Sequence, residues 1–156
     1  MTGNRLARLA QYERIAIQLV PLFQKVDDPI SRAASAVSLL HNKFSHFFWT
    51  GFYRLVNNRL LVGPYQGSLA CMELKKDTGV CWHAVNTGRT VIVPDVGTFA
   101  GHIACDSRSK SEIVVPVRDR QGTIIGVIDV DSKETGSFTD EDGQGLEKIA
   151  GMIAGR

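Results

Sequence analysis

Two sets of residues in the chain could do chemistry. The first is three cysteines: ten residues separate Cys71 from Cys81, and 24 separate Cys81 from Cys105. No C-x-x-C occurs, so the common structural zinc signatures are absent and no metal site is expected. His83 and His102 lie near Cys81 and Cys105 in sequence, which leaves a Cys2His2 site assembled across loops as one alternative. Buried spectator thiols and redox chemistry are the others. All three cysteines fall in connections or at element ends, which argues against mere spectators. Asp106 beside Cys105 disfavours a thiolate, whereas His102, Arg108 and Lys110 favour one. The backbone N–H groups of "HIACDSRS" are also suited to hold an anion such as a carboxylate.

The second set is carboxylates on apolar strands. In "GTIIGVIDVDS" side chains alternate, so Ile125, Val127, Asp129 and Asp131 share one face and Ile124, Gly126, Ile128 and Val130 the other. Both faces are apolar, so the strand should be buried on both sides. Two aspartates there are costly unless paired. They either cap the solvated strand end before "SKETGS" or line a pocket mouth, where one acid would keep its proton near neutral pH. Glu112, directly before Ile113, Val114 and Val115, either joins that pair or is an edge-strand charge. On another strand Phe47, Trp49, Gly51, Tyr53 and Leu55 share a face, either as plain core or as an aromatic slot with a gap at Gly51.

The elements that must position these residues follow from periodicity. Residues 4–24 carry a helical apolar pattern that Pro21 should bend or end early. Asp28 followed by Pro29 starts a second helix with Ile30, Ala33, Ala34, Val37 and Leu40 as its stripe. Strands over 46–56 and 60–67 meet at the turn 57–59. A short helix over 79–88 closes at Gly88, and a short strand covers 90–96. "SEIVVPVRD" and "GTIIGVIDVDS" form a hairpin, and 139–154 is a helix capped by Thr139 with acids in its first turn. This order makes an α+β fold, a mostly antiparallel sheet flanked by N-terminal and C-terminal helices, with the helical N-terminal segment at about 4–43.

At 156 residues the chain is expected to be a single domain over 1–156. A net charge of +2 calls for neither nucleic acid nor an anionic membrane, so the partner should be small. The charged residues scattered through the N-terminus interrupt any signal-peptide core, so a cytoplasmic location is expected. There a reducing pool disfavours structural disulfides.

Thiols, carboxylic acids able to hold a proton, and an aromatic slot suit a two-electron reduction in which an oxygen leaves as water. A sulfoxide is such a substrate, because thiolate attack on its sulfur needs a protonated oxygen. "GPYQGSLACMELKKDTGVC", "VPDVGTFAGHIACDSRSKSEIVVPV" and "GVIDVDS", with this three-cysteine spacing, resemble the free methionine-(R)-sulfoxide reductases, a GAF-fold family. The resemblance runs from about residue 46 to the C-terminal helix.

It implies Cys105 as nucleophile, Cys71 as resolving cysteine, and Cys81 as an auxiliary or alternative partner. It further implies Glu112, Asp129 and Asp131 as substrate-binding carboxylates, with Trp49 and Tyr53 as the aromatic side of the pocket. The reaction implied is reduction of free L-methionine (R)-sulfoxide through a sulfenic acid and an intramolecular disulfide. No bound cofactor is implied; a thioredoxin-type dithiol would be the reductant. A homodimer is compatible with the free helical faces. One departure stands out: Trp82 and His83 follow Cys81 where the family usually has a small residue. Two other classes remain, a GAF module that senses a small ligand and a thiol redox sensor without turnover.

Overall fold

The computed structural model describes residues 2–102 and 104–155. The expected domain range includes Met1, Ile103 and Arg156, which lie outside them. The elements run α1 (Thr2–Phe23), α2 (Pro29–Lys43), β1 (Trp49–Val56), β2 (Arg59–Gln66), β3 (Glu73–Leu74), α3 (Gly79–Thr87), β4 (Val91–Val93), β5 (Ser111–Arg118), β6 (Ile124–Ser132) and α4 (Asp140–Ile153). A single 3-10 turn, Val96–Thr98, follows β4.

Local chemistry explains most boundaries. Asp28 sits extended at the N-cap of α2 and accepts from the Ser31 backbone N–H at 2.7 Å, with Pro29 in the first turn. Asn57 and Asn58 both adopt the left-handed region, at φ 49° and 61°, which makes a two-residue hairpin turn matched to strand twist. Arg59 therefore belongs to β2 rather than to the turn. Gly88 ends α3 at φ 64°.

α1 departs from expectation by continuing past Pro21 to Phe23. Pro21 removes only its own N–H so near the end, while Leu19 and Phe23 stay buried in the core. Arg32, buried on α2, then caps this end: Nη2 donates to the Phe23 carbonyl at 2.7 Å and Nε to that of Val26 at 2.9 Å.

The strands form one antiparallel sheet in the order β3-β2-β1-β6-β5-β4. Helices α1, α2 and α4 cover one face, where Ile113, Val115, Val117, Phe52, Ile128 and Val130 meet Ile15, Leu19, Leu40, Leu146 and Ile149. The opposite face carries α3 and the long connections 67–78 and 94–110, around Tyr53, Leu60, Val80, Trp82, Val114 and Val127. The double burial expected of β6 is what the sheet's two layers require. Among the described residues no helix is long and apolar enough to cross a membrane.

Candidate functional site

Register brings the carboxylates together. β5 and β6 pair so that Glu112 faces Asp131 and Val114 faces Asp129; β1 places Gly51 opposite Asp129 and Trp49 opposite Asp131. Directly opposed residues share a face, so Glu112, Asp129, Asp131, Trp49 and Tyr53 project to the α3 side. The pocket reading of the acids fits this placement, and the edge-charge and solvated-end readings do not. β5 lies inside the sheet, so Glu112 is not an edge charge, and Glu112 and Asp129 are each only 6% exposed rather than solvated at a strand end.

These residues line a cavity of about 200 Å³ together with Cys71, Cys81, Cys105, His102 and Ser109. That is small beside the roughly 300–1,000 Å³ of common ligand clefts and suits a ligand of amino-acid size. Burial pushes the Glu112 carboxyl up to about 8, helped by the charge of Asp131. Asp129 and Asp131 are likewise raised, by burial first and then by neighbouring carboxylates, with the Ser109 hydroxyl partly offsetting this at Asp131. Asp129 Oδ1 is buried without a hydrogen-bond partner; among the described residues the only other such side-chain atom is Nε2 of half-buried His46. The cluster is thus a proton-holding floor with one acceptor left open to a ligand.

At the mouth, Cys71 and Cys105 are joined in a disulfide with Cα atoms 5.7 Å apart, bridging two connections 34 residues distant in sequence. Cys105 is exposed. Cys81 is the free thiol, buried on the first turn of α3. Its Sγ and oxygens of Glu112 and Asp129 all lie within 4.8 Å of one another, and burial followed by the charge of Asp129 pushes its thiol up. It faces the acids, not the bridge.

The charges around Cys105 are arranged differently from a thiolate-stabilising patch. Arg108 is taken up by Asp106, donating from Nη2 at 2.7 Å and Nε at 3.0 Å, which holds that carboxyl well below the usual range. His102 Nε2 lies 3.4 Å from Glu112 Oε2, and burial lowers its pKa, so it is a neutral neighbour of the acid floor. The anion-holding backbone expected over 102–109 includes Ile103, which lies outside the described residues.

The aromatic slot is also corrected. Phe47 precedes β1 and packs into the helix-side core. The gap at Gly51 is filled by the Trp49 indole itself, which would lie 2.1 Å from a Cβ there. Trp49 stacks against Tyr53 and Tyr65 at 5.8 and 5.5 Å. Both pocket aromatics hold the Cys71 connection: Trp49 Nε1 donates to the Ser68 carbonyl at 3.0 Å and Tyr53 Oη to that of Cys71 at 3.1 Å. Trp82 does not line the cavity; it is buried beneath α3 and donates to the Leu74 carbonyl at 3.1 Å, while His83 is exposed and packs edge-on to Phe99.

Sequence reasoning missed Ser109 and the link from Ser68 Oγ to Asp106 Oδ2 at 2.8 Å, which ties the two cysteine-bearing connections together. Serines in loops carry no periodic signal. It named His102 only as a thiol neighbour or zinc ligand; the pairing with Glu112 depends on how the loop folds back.

A GAF domain family model matches residues 2–156. The chain is 41% identical over 124 residues to the free methionine-R-sulfoxide reductase of Escherichia coli, covering 80% of this chain and 74% of that protein. It is 38% identical over 152 residues to that of Saccharomyces cerevisiae, covering 90% and 84%. Among solved structures, free methionine-R-sulfoxide reductase from Neisseria meningitidis in complex with its substrate superposes with a TM-score of 0.88 at 35% identity, covering 94% of this chain and 87% of that one.

Proposed function

The chain belongs to the GAF family and, within it, to the free methionine-R-sulfoxide reductases, and we propose on that premise that it reduces free L-methionine (R)-sulfoxide to L-methionine. The observation that carries this reading is the disulfide between Cys71 and Cys105 across the mouth of a cavity floored by protonated carboxylic acids.

The Cys105 thiolate attacks the sulfoxide sulfur while Glu112, Asp129 and Asp131 hold and protonate the oxygen. Methionine leaves and Cys105 retains the oxygen as a sulfenic acid. The Cys71 thiol then attacks that sulfur and water is lost, so one sulfoxide and two thiols become one thioether, one disulfide and water. The structure corresponds to the end of this sequence. The buried Asp129 Oδ1 awaits a donor, and the cavity's size favours a free amino acid over a peptide.

A thioredoxin-type dithiol reopens the bridge, transferring two electrons and two protons to Cys71 and Cys105. Support comes from the exposed Cys105 and from Leu69 and Met72, 86% and 75% exposed on either side of Cys71, which form an apolar collar for a docking reductant. Cytoplasmic residence fits this need for a reducing pool. Leu6, Ile17 and Val20 share one exposed face of α1 and support a homodimer. A ligand sensor has no use for the bridge, and a redox sensor has none for the acid floor.

The test is reductant consumption in a thioredoxin-coupled assay with free (R)-sulfoxide, the (S) epimer and a blocked peptide-like (R)-sulfoxide. Turnover confined to the free (R) substrate is expected. Cys105→Ser should abolish it, and Cys71→Ser should leave a single turnover per enzyme but slow recycling. Retained turnover in Cys105→Ser would sink the assignment of the nucleophile.

A further inference from the structure

Cys81 has no part in the bridge, yet it is buried against two acids. A thiol and two carboxylic acids in one dry corner cannot all ionise, because each new negative charge there repels the others at low dielectric. A dication removes that obstacle. The Cys81 Sγ, a Glu112 oxygen and an Asp129 oxygen lie within 4.8 Å of one another, and all three side chains line the same cavity. A tetrahedral ion with one sulfur and two oxygen ligands needs ligand atoms about 3–4 Å apart, within reach of small side-chain rotations. Asp129 is 6% exposed and its Oδ1 has no partner, so one ligand atom already stands ready. His102, with Nε2 3.4 Å from Glu112 Oε2 and mostly buried, lies next to this set as a neutral imidazole.

We propose that Cys81, Glu112 and Asp129 form a binding site for a divalent transition-metal ion of the zinc type, with the fourth position open to the cavity. A thiolate selects against magnesium and calcium and for zinc or cobalt. Binding exchanges the ion for the protons on Cys81 and the two carboxyls, so up to three protons are released and affinity rises with pH. The ion occupies the floor on which the sulfoxide would be held and removes the acid that would protonate it. Zinc is therefore a competitive inhibitor of the reductase; only this consequence rests on the function proposed above.

The disulfide form offers a direct test, because with Cys71 and Cys105 bridged Cys81 is the free thiol. The oxidised protein is titrated with Co2+ at pH 6 and pH 8 while the near-ultraviolet thiolate-to-cobalt charge-transfer absorption is followed, and Zn2+ is then added as competitor. The expected result is a band saturating at one equivalent, displaced by Zn2+, and at least ten-fold tighter at pH 8. The band should vanish in Cys81→Ser, and affinity should fall at least ten-fold in Glu112→Gln and Asp129→Asn, with circular dichroism verifying that each variant is folded. No band with the wild-type protein overturns the proposal, as does a band that persists in Cys81→Ser or an affinity unchanged in both carboxamide variants. The readout needs no turnover, so a protein that binds cobalt without reducing sulfoxide refutes the function and leaves the site, and the reverse result refutes the site alone.

Discussion

Asp142 and Asp129 are both aspartates shut away from solvent, on opposite sides of the same sheet. Asp142, in the first turn of α4, accepts from Arg8 at 2.7 Å, Tyr12 at 2.8 Å and the Thr139 backbone N–H at 2.9 Å, so both of its oxygens are used. Its partners join α1 to α4. Asp129, in the middle of β6, has one oxygen with no partner at all and lies among other acids. A buried charge that is fully paired holds elements in place; one left short of partners keeps its proton and waits for a ligand. The same residue type is therefore structural on the helix side and chemical on the α3 side.

The contrast is sharpest under substitution. Asp129→Asn should lower kcat/KM for the free (R)-sulfoxide by roughly 10²–10⁴-fold, the usual worth of a general acid or its partner. Its thermal unfolding midpoint should be unchanged or higher. Asp142→Asn should do the reverse, costing about 3–5 kcal/mol in denaturant unfolding by stranding Arg8, with the pH profile of the surviving activity unaltered. Equal loss of stability in both variants would erase the distinction.

pH separates the two regions next. Glu112 is raised from its ordinary value to about 8 in the folded chain, so the folded state binds more protons than the unfolded state between about 4.5 and 8. Its contribution to stability is full below that window and is lost as pH rises through it, and the acid-dependent rate should fall above about 8. Glu112→Gln removes the ionisable group and should flatten the alkaline loss of stability, by a few kcal/mol, while activity drops at every pH. Urea midpoints of both proteins at pH 6 and 9 would check this. The smallest effect belongs to the helix-facing side of β6, the strand that carries Asp129. Ile128→Val should cost about 0.5–1.5 kcal/mol and leave turnover and its pH profile alone.

Much of this was legible along the chain because it is local. The caps at Asp28 and Thr139, the asparagine turn, Gly88 and the alternation of β6 depend on residues within a few positions of each other. Alternation alone placed Asp129 and Asp131 on one face, and the motifs around the cysteines carried the family and the reaction class. The two-residue β3 was not legible, since it forms only where Leu60 and Leu61 offer a partner. Nor was Arg32 as the cap of α1, which depends on how two helices cross.

What the sequence determined by itself was the helices and every strand but β3, the face each acid occupies and the presence of three thiols outside the apolar strands, because periodicity and capping act over one or two turns of chain. Which thiols meet was decided by the tertiary structure. Pairing across 34 residues requires the order β3-β2-β1-β6-β5-β4 to bring the connections after β2 and β4 together over one end of the sheet. That arrangement puts Cys71 and Cys105 at the mouth and turns Cys81 inward to the acids. The raised pKa values arise the same way: a carboxyl keeps its proton because the fold shuts it away from water and register then crowds it against another acid.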